Sequence, residues 1–163
     1  MSAHTLTVIR HSQAGNAASD RDRPLTDRGR EDARRLGAAL SEVLRSVDTA
    51  FVSPAVRAQQ TWANLLEGAG VDPAAIEVRT EEVIYSSGDT QIWDEVRFGA
   101  RGRGTVVVGH EPTISGLADL IAKDRDPDIS WGMPTSGAVV LEFGRDWKEW
   151  HHHCAKILRK VGF

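Results

Sequence analysis

TVVVGHEPTISGLADLI, residues 105–121 of the 163-residue chain, reads as a buried strand that leads into a helix. Residues 105–108 are all β-branched and mostly apolar, which is typical of a central parallel strand that is buried on both faces. Helical spacing follows in the apolar residues Ile114, Leu117, Ala118 and Ile121. A buried strand joined to an amphipathic helix is the repeating unit of α/β sheets.

Shorter strands of the same kind precede helical segments upstream. Residues 5–10, 50–52 and 76–79 read as strands. Thr26 can cap a helix with one apolar face, formed by Ala33, Leu36, Gly37, Leu40 and Leu44. Asp89 opens another helix, with Ile92, Trp93 and Val96 inward. The alternation of strands and helices predicts a mostly parallel sheet.

The helix after the second strand carries its own start and stop signals. Ser53 and Pro54 are typical of an N-cap followed by proline at the first helical position. An apolar face follows, made of Ala58, Trp62, Leu65 and Leu66. Gly68 and Gly70 are expected to end this helix.

The last third of the chain has a different pattern. Residues 138–143 and 147–157, joined by 144–146, read as a β-hairpin at the sheet edge, with Trp147 and Trp150 packing on it. The predicted fold is therefore a three-layer α/β/α sandwich with a mostly parallel central sheet and a C-terminal antiparallel edge hairpin. We expect residues 1–163 to form one domain.

Composition restricts the function classes. Lys and Arg total 20 and Asp and Glu 23, and the resulting net charge of -3 favours neither a nucleic-acid nor a membrane partner. A single cysteine, Cys154, excludes an internal disulfide framework. No signal-peptide pattern and no apolar stretch of about 20 residues is present, so we expect a soluble cytoplasmic protein.

Polar side chains follow three of the predicted strands: Arg10-His11, Ser53 with Arg57, and His110. Ligands of open α/β sheets bind at the carboxyl ends of the strands, where residues distant in sequence converge. The planar fork of arginine matches phosphate oxygens, and histidine becomes a nucleophile when its second nitrogen is held by a hydrogen bond. These residues predict a phosphoryl-transfer site.

The order and spacing of these motifs resemble the histidine phosphatase (phosphoglycerate-mutase-like) superfamily. The matching motifs are Arg10-His11, Leu25-Thr26-x-x-Gly29, Ser53-Pro54-x-x-Arg57-Ala58-x-x-Thr61 and Val108-Gly109-His110. The short chain and the segments Arg23-Pro24-Leu25-Thr26 and Thr135-Ser136-Gly137 are similar to those of SixA-type phosphohistidine phosphatases.

The resemblance implies a role for each matching residue. His11 is expected to attack phosphorus and to become a phosphohistidine intermediate. Arg10 and Arg57 are expected to hold the equatorial phosphate oxygens, and His110 to donate to one of them. Arg23 is a further candidate for contact with phosphate or substrate, with an exposed surface role as the alternative.

Two positions bear on substrate choice. Ser12 stands where the family usually has glycine, and it is expected to narrow the pocket or to add a hydrogen bond. Glu81 or Glu82 lies where larger relatives carry a general acid. Glu82 is preferred over Glu81 as the candidate acid, although a solvated surface role is the favoured interpretation of Glu82. SixA-type members are poorly equipped with such an acid, which fits a phosphoramidate substrate with its more labile P–N bond.

The function predicted is hydrolysis by way of phospho-His11, with phosphohistidine on a protein as the leading substrate and with no metal or organic cofactor. The alternatives are a phosphomonoesterase acting on a small phosphorylated metabolite and a non-catalytic phosphate-binding module. His151, His152 and His153 are not expected to bind a metal, because successive strand residues point to opposite faces.

Overall fold

The structure, a computed structural model, describes residues 3–163. Its described part contains one six-stranded sheet in the order β3-β2-β4-β1-β5-β6. The strands are β1 (His4–Arg10), β2 (Thr49–Val52), β3 (Glu77–Thr80), β4 (Gly104–Gly109), β5 (Ala138–Phe143) and β6 (Lys156–Val161). The first four are mutually parallel, whereas β5 runs antiparallel to both β1 and β6. The predicted mixed sheet with its C-terminal antiparallel hairpin is confirmed.

Helices cover both faces of the sheet. They are α1 (Asp27–Ala39), α2 (Ser41–Arg45), α3 (Val56–Ala69), α4 (Glu82–Ser86), α5 (Asp89–Gly99), α6 (Thr113–Ile121) and α7 (Pro127–Ser130). On β4, Val107 packs in a core with α5 and α6, while Val106 and Val108 pack in the opposite core with α1 and α3. The uninterrupted apolar run of this strand therefore reflects burial on both faces. Among residues 3–163, no helix is both long and apolar enough to cross a bilayer.

The helix start and stop signals are confirmed only in part. Thr26 caps α1 as predicted, its hydroxyl accepting from the Gly29 amide at 3.0 Å. The prediction that Ser53 caps α3 is wrong, because that helix begins at Val56, with Ala55 at the N-cap position. Gly70, at φ 68°, ends α3, but Gly68 lies inside it. Ser53 is thereby left in the loop at the end of β2.

Gly68 and Gly37 bring α1 and α3 into close contact. A Cβ atom on Gly37 would lie 2.0 Å from the Leu65 carbonyl oxygen, and one on Gly68 would lie 2.0 Å from the Arg34 carbonyl oxygen. The close approach of the two backbones therefore requires glycine at both positions. Gly68 is a packing residue inside α3 and does not end the helix.

The second strand of the C-terminal hairpin lies later than predicted. It spans Lys156–Val161, whereas Trp147–Glu149 forms a 3₁₀ turn. Trp147 and Trp150 are buried, with ring centroids 4.8 Å apart, and their indole N–H groups donate to main-chain carbonyls. The spacing of these aromatic residues resembles that of a strand. Their indole rings instead pack in the core, where main-chain carbonyls accept from their N–H groups.

The three consecutive histidines consequently do not lie on a strand, so their side chains do not alternate between two faces of a sheet as predicted. The His153 ring lies against the Ala122 carbonyl, and the His151 ring against the His152 carbonyl. Within residues 3–163, no group of three His, Cys, Asp or Glu side chains is arranged to hold a metal ion.

Candidate active site

The carboxyl ends of β2, β4 and β1, neighbours in the sheet, bring the predicted site residues together. Arg10 pairs with Gly109 across β1 and β4, and the sheet hydrogen bonds continue one residue further. The His11 amide donates to the Gly109 carbonyl at 3.0 Å, and the Ser53 amide donates to the Val108 carbonyl at 3.1 Å. Strand register therefore sets the positions of His11, Ser53 and His110.

His11 is held in one tautomer. Its Nδ1 lies 2.7 Å from the main-chain carbonyl oxygen of Ser12, and because a carbonyl only accepts, Nδ1 carries the hydrogen. The lone pair is then on Nε2. Burial lowers the pKa of His11 from 6.5 to about 4; the Ser12 hydrogen bond opposes this shift, and the charges of Arg57 and Arg10 add to it. At neutral pH the ring is therefore uncharged.

Ser12, whose carbonyl accepts from His11, is itself fixed by hydrogen bonds. Its amide donates to the Thr61 hydroxyl at 2.9 Å, and its own hydroxyl lies 2.5 Å from the Ser136 hydroxyl. Ser12 is fully buried. Its carbonyl therefore orients His11, whereas its hydroxyl is already bonded inside the protein and is not presented to a ligand.

His110 faces His11, with ring centroids 5.1 Å apart. Its Nε2 lies 2.7 Å from the hydroxyl of Ser53, and its Nδ1 is buried without a hydrogen-bond partner among the described residues. Burial lowers the pKa of His110 to about 3, with further lowering by the charges of His11 and Arg57. When Ser53 donates to Nε2, the ring proton lies on Nδ1, which has no partner among the described residues.

Arg10 and Arg57 each have a buried Nε donor that is unused among the described residues. Nη1 of Arg10 donates to the Met133 carbonyl at 2.9 Å. Both Nη atoms of Arg57 donate to Asp20, one to its carbonyl at 2.7 Å and one to its carboxylate at 3.0 Å. In both arginines Nε is buried and has no partner within residues 3–163. Two buried, unpartnered guanidinium donors beside two neutral histidines favour an anion such as a phosphoryl group.

Asp20 is the site residue that sequence reasoning missed. Besides the two contacts with Arg57, its carboxylate accepts from the Tyr85 hydroxyl at 2.7 Å and from Arg23 at 3.1 Å. These hydrogen bonds, with that from Tyr85 the strongest, hold the pKa of Asp20 far below its usual range. Its position three residues before Arg23 was the only sequence signal, and it does not distinguish Asp20 from Asp22 because residues 20–23 are all charged.

Arg23 reaches the site through Asp20. Its Nε donates to the Gly15 carbonyl at 2.9 Å, and its Nη1 donates to Asp20. Its side chain is about one-third exposed, at 35%. The structure therefore places Arg23 at the rim of the site, one contact away from Arg57.

Glu82 does not have the environment of a proton donor. It begins α4, a short helix that the sequence analysis did not predict, and both of its carboxylate oxygens accept from Arg21 at 2.6 and 2.7 Å. This pairing lowers the pKa of Glu82, which keeps the carboxylate ionised. Arg21 also lies over the Tyr85 ring, 4.3 Å from its centroid. The alternative candidate, Glu81, is bonded to Arg79.

A cavity of about 310 Å³ lies beside Ser136, lined also by residues of α1 and by Val161 and Gly162. None of the paired histidines or arginines lines it. We therefore place the candidate active site at the carboxyl ends of the strands and not in this cavity.

One family model and several known proteins are similar to this chain. The family model described as histidine phosphatase superfamily, branch 1, matches residues 6–96. An uncharacterised protein of Mycobacterium tuberculosis is 35% identical over 164 residues, which cover 95% of this chain and 98% of the relative.

Solved structures extend the similarity over nearly the whole chain. A Nakamurella multipartitia protein assigned as a SixA phosphohistidine phosphatase has a TM-score of 0.83 and 30% identity, covering 98% of this chain and 96% of its own. The protein histidine phosphatase SixA in complex with tungstate has a TM-score of 0.73 and 20% identity, covering 96% and 95%. At this lower identity the likeness shows the fold alone.

Proposed function

The chain belongs to the histidine phosphatase superfamily and is a phosphatase, and from this premise we propose that His11 is its nucleophile and phosphohistidine on a protein its substrate. Hydrolysis then proceeds in two steps, through phospho-His11 and its attack by water. Arg10 and Arg57 neutralise the charge on the phosphoryl oxygens, and His110 donates to one of them.

The tautomer of His11 is the observation that carries this proposal. The Ser12 carbonyl oxygen lies 2.7 Å from Nδ1 of His11 and accepts its hydrogen, so the lone pair of Nε2 is available to phosphorus. The unpartnered Nε atoms of Arg10 and Arg57 supply donors for the oxygens of the same group. A binding module for phosphate needs the donors but has no need for a neutral imidazole with a fixed tautomer.

The preference for phosphohistidine rests on the carboxyl groups of Asp20 and Glu82. Both have a lowered pKa because of hydrogen bonds from arginine or tyrosine, so both are ionised at neutral pH. An alkoxide leaving group requires a proton from an enzyme acid. An imidazole that already carries a proton on its second nitrogen leaves as a neutral ring and needs no such acid. The assignment of the Nakamurella relative as a phosphohistidine phosphatase supports the same substrate.

Covalent trapping tests the nucleophile. The protein is mixed with a ³²P-labelled phosphohistidine protein, quenched and digested, and the labelled peptide is identified. We expect an acid-labile, base-stable label on His11. His11→Asn should lose both label and turnover, while His152→Asn, a matched change of an exposed histidine outside the site, should retain both.

The same assay distinguishes the rival functions. Phosphate binding without any covalent label would indicate the non-catalytic module, and turnover that survives His11→Asn would refute the nucleophile. A panel that compares the phosphohistidine protein with small phosphoesters tests the substrate. Higher kcat/KM for the esters would assign the protein as a small-molecule phosphomonoesterase.

A further inference from the structure

Phosphoryl transfer between two imidazoles is nearly symmetric, and each ring must keep a hydrogen on the nitrogen that does not bond to phosphorus. For the His11 ring, this hydrogen is accepted by the Ser12 carbonyl oxygen, which lies 2.7 Å from Nδ1. The leaving ring of the substrate requires an acceptor of the same kind on the open side of the site.

Asp20 lies beside the site, in contact with Arg57, and has free acceptor capacity for that task. Its Oδ2 accepts from Arg57 and Tyr85, but its Oδ1 accepts only from Arg23 among the described residues. An ionised carboxylate oxygen accommodates about two hydrogen bonds, so Oδ1 can take one more. The side chain is 52% exposed, although it contacts the buried Arg57.

The neighbours of Asp20 keep it an acceptor and not an acid. Tyr85, Arg23 and Arg57 together hold its pKa far below the usual range, so it carries no proton to donate at neutral pH. Tyr85 also packs edge-on against His110, with ring centroids 5.5 Å apart, which links the carboxylate to the two-histidine centre.

We propose that Asp20 is the specificity-determining residue of this site: its Oδ1 accepts the distal N–H of the phosphorylated imidazole and favours that substrate over phosphoesters. This inference rests on the proposed function. The contact stabilises the ring form that carries a proton on its second nitrogen, and only that form departs as neutral imidazole.

The transfer step balances without an acid. The lone pair of His11 Nε2 forms the new N–P bond, the P–N bond of the substrate breaks, and its electron pair returns to the leaving nitrogen. The substrate ring keeps its distal hydrogen on Asp20 and departs neutral. The Nδ1 hydrogen of His11 remains on the ring and stays hydrogen-bonded to the Ser12 carbonyl, so no proton is transferred during this step.

Three substrates separate this role from others: a phosphohistidine peptide, phosphoramidate, which has a P–N bond but no second ring nitrogen, and p-nitrophenyl phosphate. Asp20→Asn keeps an oxygen for Arg57 and removes the charge. We expect kcat/KM for the peptide to fall about 10- to 100-fold more than kcat/KM for the other two substrates, the loss typical of a hydrogen bond to a charged group. Asp22→Asn, in the same 3₁₀ turn, should affect none.

The remaining outcomes overturn the inference in distinguishable ways. Equal losses on all three substrates would mean that Asp20 only positions Arg57, and equal gains would mean that its carboxylate competes with phosphate. Wild-type protein that turns over the other two substrates but not the peptide would refute the proposed substrate itself, and this role with it. Asp20→Glu retains the charge and should recover part of the preference, and thermal unfolding verifies that each variant folds.

Discussion

The imidazole rings of His11 and His110 lie 5.1 Å apart because β1 and β4 are adjacent and Arg10 pairs with Gly109. Each histidine is the first residue after its strand, so the parallel register alone brings the two rings together. Burial beside Arg10 and Arg57 then keeps both rings uncharged. Strand register and desolvation thus produce a positively charged site whose two imidazoles are neutral.

Activity should persist to unusually low pH. Protonation of Nε2 removes the lone pair of His11, so kcat/KM falls as the pH drops through the pKa of the free enzyme. Because burial lowers this pKa from 6.5 to about 4, we expect the acid limb near pH 4. The measurement is kcat/KM against pH with two substrates that titrate differently, corrected for spontaneous hydrolysis. A common limb near pH 6.5 would show that His11 is not desolvated.

Replacing Arg57 by lysine should impair catalysis although the charge is retained. Lysine has no planar fork, so it cannot bond Asp20 and a phosphoryl oxygen together. We expect kcat/KM to fall about 100-fold, equivalent to one or two charged hydrogen bonds. Arg45→Lys, an exposed change on α2, is the matched control and should leave activity unaltered. Equal activity of the two variants would contradict the role of Arg57.

The sequence predicted most of the fold and the centre of the site for a physical reason. Apolar runs identify buried strands, and the ends of parallel strands must converge, so Arg10, His11 and His110 could be located without coordinates. The prediction that Ser53 caps a helix failed because the Ser-Pro pattern also suits the loop that presents its hydroxyl to His110.

Asp20 and Tyr85 could not be found in this way. Their contact joins a loop before α1 to the short helix α4, and neither segment has a periodic apolar pattern. Side-chain hydrogen bonds between distant polar loops leave no trace in hydrophobic periodicity. The same limit applies to the hydrogen bond between Glu82 and Arg21, which joins two polar segments distant in sequence and could not be predicted.

Glu82→Gln should have little effect on kcat for a phosphohistidine substrate. The carboxylate is exposed and bonded to Arg21 through both oxygens, so its amide analogue loses an ion pair of small energy. General acids contribute about 10²- to 10⁴-fold, so a loss in that range would restore Glu82 as the proton donor. Rates for phosphohistidine and phosphoester substrates are compared in the same preparation. Arg21→Gln breaks the same pair from the other side and should match Glu82→Gln.

Gly37→Ala should destabilise the protein even though alanine favours helices. The helix preference contributes about 1 kcal/mol in favour of the substitution at an unconstrained position. Here the new Cβ would lie 2.0 Å from the Leu65 carbonyl oxygen, so α1 and α3 must separate, and overpacking of this kind costs about 1–3 kcal/mol. Backbone atoms on the opposing helix cannot move aside as a flexible side chain can, so the cost should lie at the upper end of this range, about 2–3 kcal/mol. After the helix preference is subtracted, we expect a net loss of about 1–2 kcal/mol in the free energy of unfolding. Gly144→Ala is the control, because no atom lies within 4 Å of its added Cβ. Urea denaturation measures both variants, and a Gly37→Ala protein as stable as the wild type would show that the two helices are not held at the observed distance.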